Sequence, residues 1–316
     1  MSEPLGTVLL TGATGFIGSA LADRLEREAR RTIALVLEDD PRQERLRGRA
    51  GIELALVPRA SRDGVARALG SRAPDVVFHL AAAGVSPHER EPVALVDGNV
   101  GLTTSVLAAL GPQGAGRFVH TGSCAEYAPA PPPVRIGEEH PLGPTSLYGA
   151  AKAAAYLCGK ALAAELGIPF VALRLFGVYG PGEAPERLVP YLLASLRAAA
   201  VPALTAGEQA RDLTCVDDVV DAIVLAARAP ALASGGTCNV CSGNPVRVRE
   251  VAELVAREAG FPEADLGLGR RPYHGDEPMW LVGDPARLAA TTGWRPRISL
   301  PEGIRRMVAA TGQERA

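Results

Sequence analysis

Short apolar runs alternate with amphipathic stretches over the first 175 or so positions of the 316-residue chain. Residues 7–11 (Thr-Val-Leu-Leu-Thr) form an apolar run of strand length, and 19–30 repeat apolar positions at helical spacing. The same alternation predicts strands over 32–37, 52–58, 75–82, 117–121 and 169–175, and helices over 61–69, 92–110 and 145–166. Strands and helices in this order imply an α/β fold built on a mostly parallel, doubly wound sheet with right-handed crossovers. Residues 128–144 are proline-rich and predict a surface loop. Beyond Phe176 the pattern changes. Residues 177–182 predict a loop, 184–199 a helix, 211–216 a short strand, and 217–229 a helix that returns to the main sheet. A strand and turn follow at 237–244, then helices at 246–259 and 285–292. The chain thus divides into 1–176 joined by 211–235, and a smaller discontinuous portion made of 177–210 and 236–316.

Composition narrows the class. A 47% hydrophobic fraction suits a globular protein with a sizeable core, and a net charge of −2 gives no reason to expect nucleic acid as a partner. No stretch of ~18 or more uncharged apolar residues predicts a membrane span. The chain runs almost directly into its first strand without a basic-plus-apolar leader, so a cytoplasmic location is expected. The five cysteines are scattered and odd in number, which suits reduced thiols. Cys238-Asn-Val-Cys241 has a Cys-x-x-Cys spacing but no second pair and no nearby histidine, and no metal is expected.

Two stretches carry chemistry. Gly12-Ala13-Thr14-Gly15-Phe16-Ile17-Gly18 joins the first strand to the first helix. Glycines there allow a tight turn and a close backbone approach, and the helix N-terminus offers N–H groups to a pyrophosphate. The acid that meets the adenosine ribose is expected at the end of the second strand, where Glu38-Asp39-Asp40 stand. Glu38 favours NAD; Arg42 or Arg45 meeting a 2′-phosphate would favour NADP. The second stretch is Tyr148-Gly149-Ala150-Ala151-Lys152. Four residues apart on a helix, a phenol and one of only two lysines share a face. An ammonium beside a phenol lowers a pKa that starts near ~10, toward use in acid–base chemistry. Ser123 follows the fifth strand, where open α/β sheets bind ligands, and is expected to hold a substrate oxygen.

The glycine turn, Ser123 and the Tyr148/Lys152 pair occur in an order and spacing that resemble the extended short-chain dehydrogenase/reductase family, the group of nucleotide-sugar epimerases, dehydratases and reductases. The likeness covers almost the whole chain. His79-Leu80-Ala81-Ala82, Asn99-Val100, Arg174-Leu175-Phe176-Gly177-Val178-Tyr179-Gly180-Pro181-Gly182, Arg211-Asp212 with Asp217-Asp218, and Gly293-Trp294-Arg295-Pro296 match its later signatures. The resemblance implies a Rossmann-like fold with a substrate-binding C-terminal portion, and NAD or NADP held by Gly12, Thr14, Gly15, Phe16, Ile17, Gly18, Glu38, Leu80, Ala81, Ala82, Asn99, Tyr148 and Lys152. Tyr148 is implied to exchange a proton with a sugar hydroxyl or ketone, Lys152 to bind the nicotinamide ribose, and Ser123 to hold the oxygen. Arg211 and Arg271 are the implied partners of a nucleotide diphosphate. The pattern departs at Gly177, where the family often has asparagine, at Cys124 and Ala125, where dehydratases carry acids, at Arg59-Ala60, where an aspartate is frequent, and at Val36. Glu126, one step beyond the dehydratase acids, is expected to point elsewhere. The expected function is hydride transfer at a sugar C4, as a 4-keto-sugar reductase or, second, an NAD-dependent epimerase. A non-catalytic dinucleotide-binding regulator is the alternative of another class, and a homodimer is implied by the family.

Overall fold

The computed structural model describes residues 3–58, 61–85, 91–111, 114–275 and 277–313. The departure noted at Arg59-Ala60 lies outside them. In chain order the elements are β1 (Leu5–Thr11), α1 (Phe16–Glu28), β2 (Ala29–Leu37), β3 (Ile52–Val57), α2 (Arg62–Leu69), β4 (Val76–His79), α3 (Pro92–Val96), α4 (Leu102–Leu110), β5 (Arg117–Ser123), α5 (Leu147–Glu165), β6 (Phe170–Leu175), β7 (Gly177–Tyr179), α6 (Leu188–Arg197), β8 (Ala210–Cys215), α7 (Val216–Arg228), β9 (Gly236–Val240), β10 (Pro245–Arg247), α8 (Val248–Glu258), β11 (Trp280–Leu281), α9 (Ala286–Thr292) and α10 (Leu300–Gln313).

Seven strands form one parallel sheet in the order β3-β2-β1-β4-β5-β6-β9. The strand order reverses between β1 and β4, so a crevice opens there at the carboxyl ends of the strands. Leu10, Phe78 and Val119 face one side with Leu21 and Leu25 of α1 and Val219 and Ile223 of α7. Leu9, Val77 and Phe118 face the other with Val65 of α2, Val106 of α4 and Ala163 of α5. Burial on both faces explains why these strands read as near-continuous apolar runs.

The second sheet is small. β8 pairs with β10, β11 and β7, and α6, α8 and α10 pack a separate core around Leu192, Leu193, Val255 and Ile304. Residues 177–182, expected as a loop, hold a strand, β7, and β9, expected with the smaller portion, pairs with β6 at the edge of the large sheet. β9's sequence Gly-Thr-Cys-Asn-Val alone does not tell a strand of one sheet from a strand of the other. β8, expected with the larger portion, pairs only within the small sheet, while α7 after it packs on the large one.

Buried acids join these parts. Asp212 on β8 accepts N–H bonds from Ser242, Gly243 and Gly283. Asp218 on α7 accepts from Arg297 and Ile298, and Trp294 donates its indole N–H to the Asp218 carbonyl. The span from Pro92 to Leu110 is long and apolar enough to cross a membrane. In this fold Leu102, Val106, Leu107 and Leu110 from it are buried against the sheet. A π-helical turn, Asp97–Gly101, interrupts it.

Candidate active site

The glycine turn sits at the strand-order reversal. Gly12 has φ +72°, and a Cβ on it would stand 2.6 Å from the Ala81 nitrogen. A Cβ on Gly18 would collide with the Gly12 carbonyl. The three expected glycines therefore let β1, the start of α1 and the end of β4 close on one another. No side chain caps α1 and no acid occupies its first turn, so its leading N–H groups suit an anion. Leu80 and Ala81 are tied to Thr11 through their amides. This is a fitting cradle for a dinucleotide.

The acid that reaches this turn is Asp40. Its Oδ2 accepts from Thr14 Oγ1 at 2.7 Å, and Arg42 Nε lies 2.9 Å from Oδ1. The hydrogen bond from Arg42, aided by that from Thr14, holds the Asp40 carboxyl down at about 2. Glu38, the expected ribose acid, is exposed, and its backbone pairs with Val57 instead. The chain turns after Leu37, which leaves Glu38 exposed and brings Asp40 back to Thr14. Asn99, also expected at the cofactor, is buried; its amide nitrogen donates to Ala83 and Leu95 carbonyls while its Oδ1 has no hydrogen-bond partner. It anchors the end of the β4 connection. His79 packs, bonding Thr11 and Thr103 hydroxyls at 2.9 and 3.0 Å.

Ser123 ends β5, and α5 brings Tyr148 to it. Gly149 makes this possible: a Cβ there would collide with the Ala125 carbonyl, in the 3-10 turn Cys124–Glu126. Ser146 caps α5 by accepting from Gly149 N–H at 3.1 Å. Burial pushes the Tyr148 phenol up to about 12, and the hydrogen bond with Ser123 pulls it down. Lys152, 3% exposed, donates to the Thr121 carbonyl at 2.6 Å. Burial lowers it to about 8, against the charge of Glu126. The expected lowering of the Tyr148 pKa by Lys152 is not the dominant effect here. The ammonium is turned to Thr121, and desolvation of the phenol outweighs its neighbours.

Glu126 does not point away. Its Oε1 accepts the Ser123 N–H at 2.7 Å and its Oε2 accepts from Arg174 Nε at 2.7 Å. The signal was Ser-x-x-Glu, the capping-box pattern. Loop residues after β7 also approach. A Cβ on Gly182 would stand 3.9 Å from the Phe16 ring, and Arg187 is close enough to Tyr148 to oppose the rise of its pKa. Glu183, 3.5 Å from Arg187, has its carboxyl raised to about 7 by burial.

On the small-sheet side, Arg211 donates to the Ala210 and Pro278 carbonyls and pairs with Glu277. Arg271 is exposed, and its N–H bonds the Leu204 carbonyl. Burial lowers the Arg211 pKa, and Glu277, Cys124 and Tyr273 oppose that fall. The break at Gly177 has a structural reason: a Cβ there would stand 2.7 Å from the Asp212 carbonyl. All five cysteines are free, and Cys238 and Cys241 are buried. Among the described residues no cluster of metal-ligating side chains occurs.

Comparison with known proteins agrees with this fold. The family model described as the NAD dependent epimerase/dehydratase family matches residues 8–241. A UDP-glucose 4-epimerase of Mycolicibacterium smegmatis is 31% identical over 313 residues, covering 95% of this chain and 96% of its own. A UDP-glucose 4-epimerase of Thermus thermophilus, solved with NAD, superposes with a TM-score of 0.84 at 29% identity, over 96% of this chain and 98% of that one. A UDP-glucuronic acid 4-epimerase of Bacillus cereus shares the fold with a TM-score of 0.87 at 21% identity, over 98% and 99% of the two chains. With a matched family model over most of its length, a glycine turn and a Ser123–Tyr148–Lys152 cluster at the sheet's carboxyl edge, the chain belongs to the NAD dependent epimerase/dehydratase family.

Proposed function

We propose that the protein is an NAD-dependent nucleotide-sugar 4-epimerase. The observation that carries this reading is the placement of Tyr148 and Lys152 on α5 beside Ser123, with Cys124 and Ala125 in the positions where dehydratases of the resembling group carry acids. The full-length 31% identity to a UDP-glucose 4-epimerase supports epimerisation over the reductase expected from the sequence, for which no finding speaks specifically.

The residues divide the work. Ser123 holds the C4 oxygen, and Tyr148 takes the hydroxyl proton and later returns it to the ketone oxygen. Lys152 has three donors and spends one on Thr121, leaving two for a ribose of the cofactor. Gly12, Gly15 and Gly18 with the N-terminus of α1 hold the pyrophosphate, and Asp40, in place of Glu38, faces the adenosine end. When bound, NAD supplies the hydride acceptor and donor at C4. A half-buried Tyr148 raised to about 12 is a poor base by itself; the hydrogen bond with Ser123 and the charge of Arg187 favour its phenolate. Arg211 holds the nucleotide diphosphate after leaving Glu277, a guanidinium fork being suited to phosphate.

The test is product analysis with UDP-glucose and UDP-glucuronic acid as probes. The C4 epimer should form with no net reduced nicotinamide. Stoichiometric consumption of NADH or NADPH with a 4-keto sugar, and no epimer, would return the assignment to a reductase.

A further inference from the structure

We infer that Glu126, paired with Arg174, is a positioning residue: it clamps the backbone of Ser123. The inference rests on the reading of Ser123 and Tyr148 as the groups that meet the sugar.

The pair is sealed in the protein, Glu126 at 0% and Arg174 at 3% exposure. Removing two charges from water is expensive unless each is fully hydrogen-bonded, and an apolar pair of similar volume is often as stable or more so. Stability alone therefore gives no reason for this pair. Its hydrogen bonds do. Glu126 Oε1 accepts the Ser123 N–H at 2.7 Å, and Oε2 accepts Arg174 Nε at 2.7 Å. Arg174 Nη1 donates to Tyr127 Oη at 3.0 Å, Tyr127 donates to Asn239 Oδ1 at 2.7 Å, and Asn239 Nδ2 donates to the Ile136 carbonyl at 2.8 Å. The guanidinium is stacked between the Tyr127 and Tyr156 rings, 4.7 and 4.6 Å from their centroids. Tyr156 lies two turns beyond Tyr148 on the same helix.

A polar rib thus runs from Ser123 through β6 to β9 and the 128–144 loop, directly behind the reacting groups. The strand end is shaped to it: a Cβ on Gly122 would stand 2.5 Å from Glu126 Oε1. An apolar residue at 126 fills space but cannot hold the Ser123 amide, and a Ser123 free to shift by an ångström would miss its substrate oxygen. The charge acts on both partners as well. Glu126 opposes the burial-driven fall of Lys152 and adds to the rise of Tyr148. The other groups facing Lys152 are His79 and His120, both kept neutral by burial, and those facing Tyr148 are Ser123, Cys124 and Arg187.

Glu126→Gln alone leaves a buried guanidinium unpaired and threatens the fold, so the deciding variant removes both charges, Glu126→Val with Arg174→Met. It should melt within about 5 °C of the parent. Turnover of UDP-glucose should fall by ~10- to 100-fold with KM changed by less than ~3-fold. Amide exchange over 121–127, measured by mass spectrometry, should speed at least ~10-fold. A folded double variant with turnover within ~3-fold of the parent, or with unchanged exchange over 121–127, overturns the inference. A double variant that does not fold assigns the pair to stability and overturns it too. Ser123→Ala run alongside separates the two readings: undiminished turnover there sinks the role of Ser123, while the exchange measurement still reports on the Glu126 clamp.

Discussion

Tyr148 and Lys152 lie four residues apart, and that spacing alone places both on one helix face. What spacing does not give is where each side chain's polar end goes. Lys152 turns to the Thr121 carbonyl, and both groups are desolvated. We expect Tyr148→Phe to keep cofactor affinity in a nicotinamide fluorescence titration and to lose turnover by about 10³-fold. Turnover within tenfold of the parent would contradict Tyr148 as proton carrier. Lys152 has a consequence for stability. Its ordinary value of 10.5 falls to about 8 in the fold. Between these values the unfolded chain keeps a proton that the folded chain has released, so stability rises with pH across that window. Below pH 8 the fold carries a buried ammonium at a penalty of roughly 3 kcal/mol. Lys152→Met should therefore raise stability at pH 7 by roughly 2 kcal/mol once the lost Thr121 bond is counted, and the gain should shrink as pH climbs above 8. Thermal melts from pH 6 to 9.5 check both sign and trend, and a lowered melting temperature at pH 7 would contradict it. Glu126 and Asp40 were harder to read. Each competes with acidic or turn neighbours one or two residues away, and only the folded turn decides which carboxylate faces inward.

At the scale of elements, the alternation of apolar runs was enough to place β1 to β6 and α1, α2 and α5, because a sheet covered on both faces demands such runs. The short strands β7, β10 and β11 have two or three residues and carry no periodicity to detect. α10 was missed, since its apolar positions stand among Gly303 and a dense set of charges. The contact of α5 with the Cys124–Glu126 turn gives a direct prediction. Gly149→Ala drives a methyl into the Ala125 carbonyl and must push the helix start, and Tyr148 with it, away from Ser123. We expect a loss of about 1–3 kcal/mol in stability, read by urea unfolding, and a fall of at least ~10-fold in turnover. α3 and α5 also leave Val93, Val96, Leu147 and Leu157 exposed. We propose that these exposed residues lie in the homodimer contact expected from the family. Leu157→Glu should then yield a monomer by light scattering, and a parent that is itself monomeric would dismiss the proposal.

The whole molecule is a large parallel sheet with a smaller unit hung on β8, from which Arg211 approaches Cys124. The parallel architecture was legible from element order. The sheet to which β8 and β9 belong was not legible, because each pairs in the sheet opposite to the one its position in the chain suggests. β8 carries Arg211, held by Glu277 from the segment before β11. Arg211→Ala should weaken UDP binding by ~10- to 100-fold in calorimetry, in keeping with a lost charge-assisted bond, and Arg271→Ala by far less. Equal losses in the two variants would put both arginines on the diphosphate. The central claim is that Ser123, Tyr148 and Lys152 invert a sugar carbon with NAD retained. The most direct measurement follows UDP-glucose labelled with deuterium at C4. We predict the C4 epimer with the label still at C4 and no accumulated reduced nicotinamide. A product that has lost the label to solvent, or no epimer alongside net consumption of NADH or NADPH, would contradict the account.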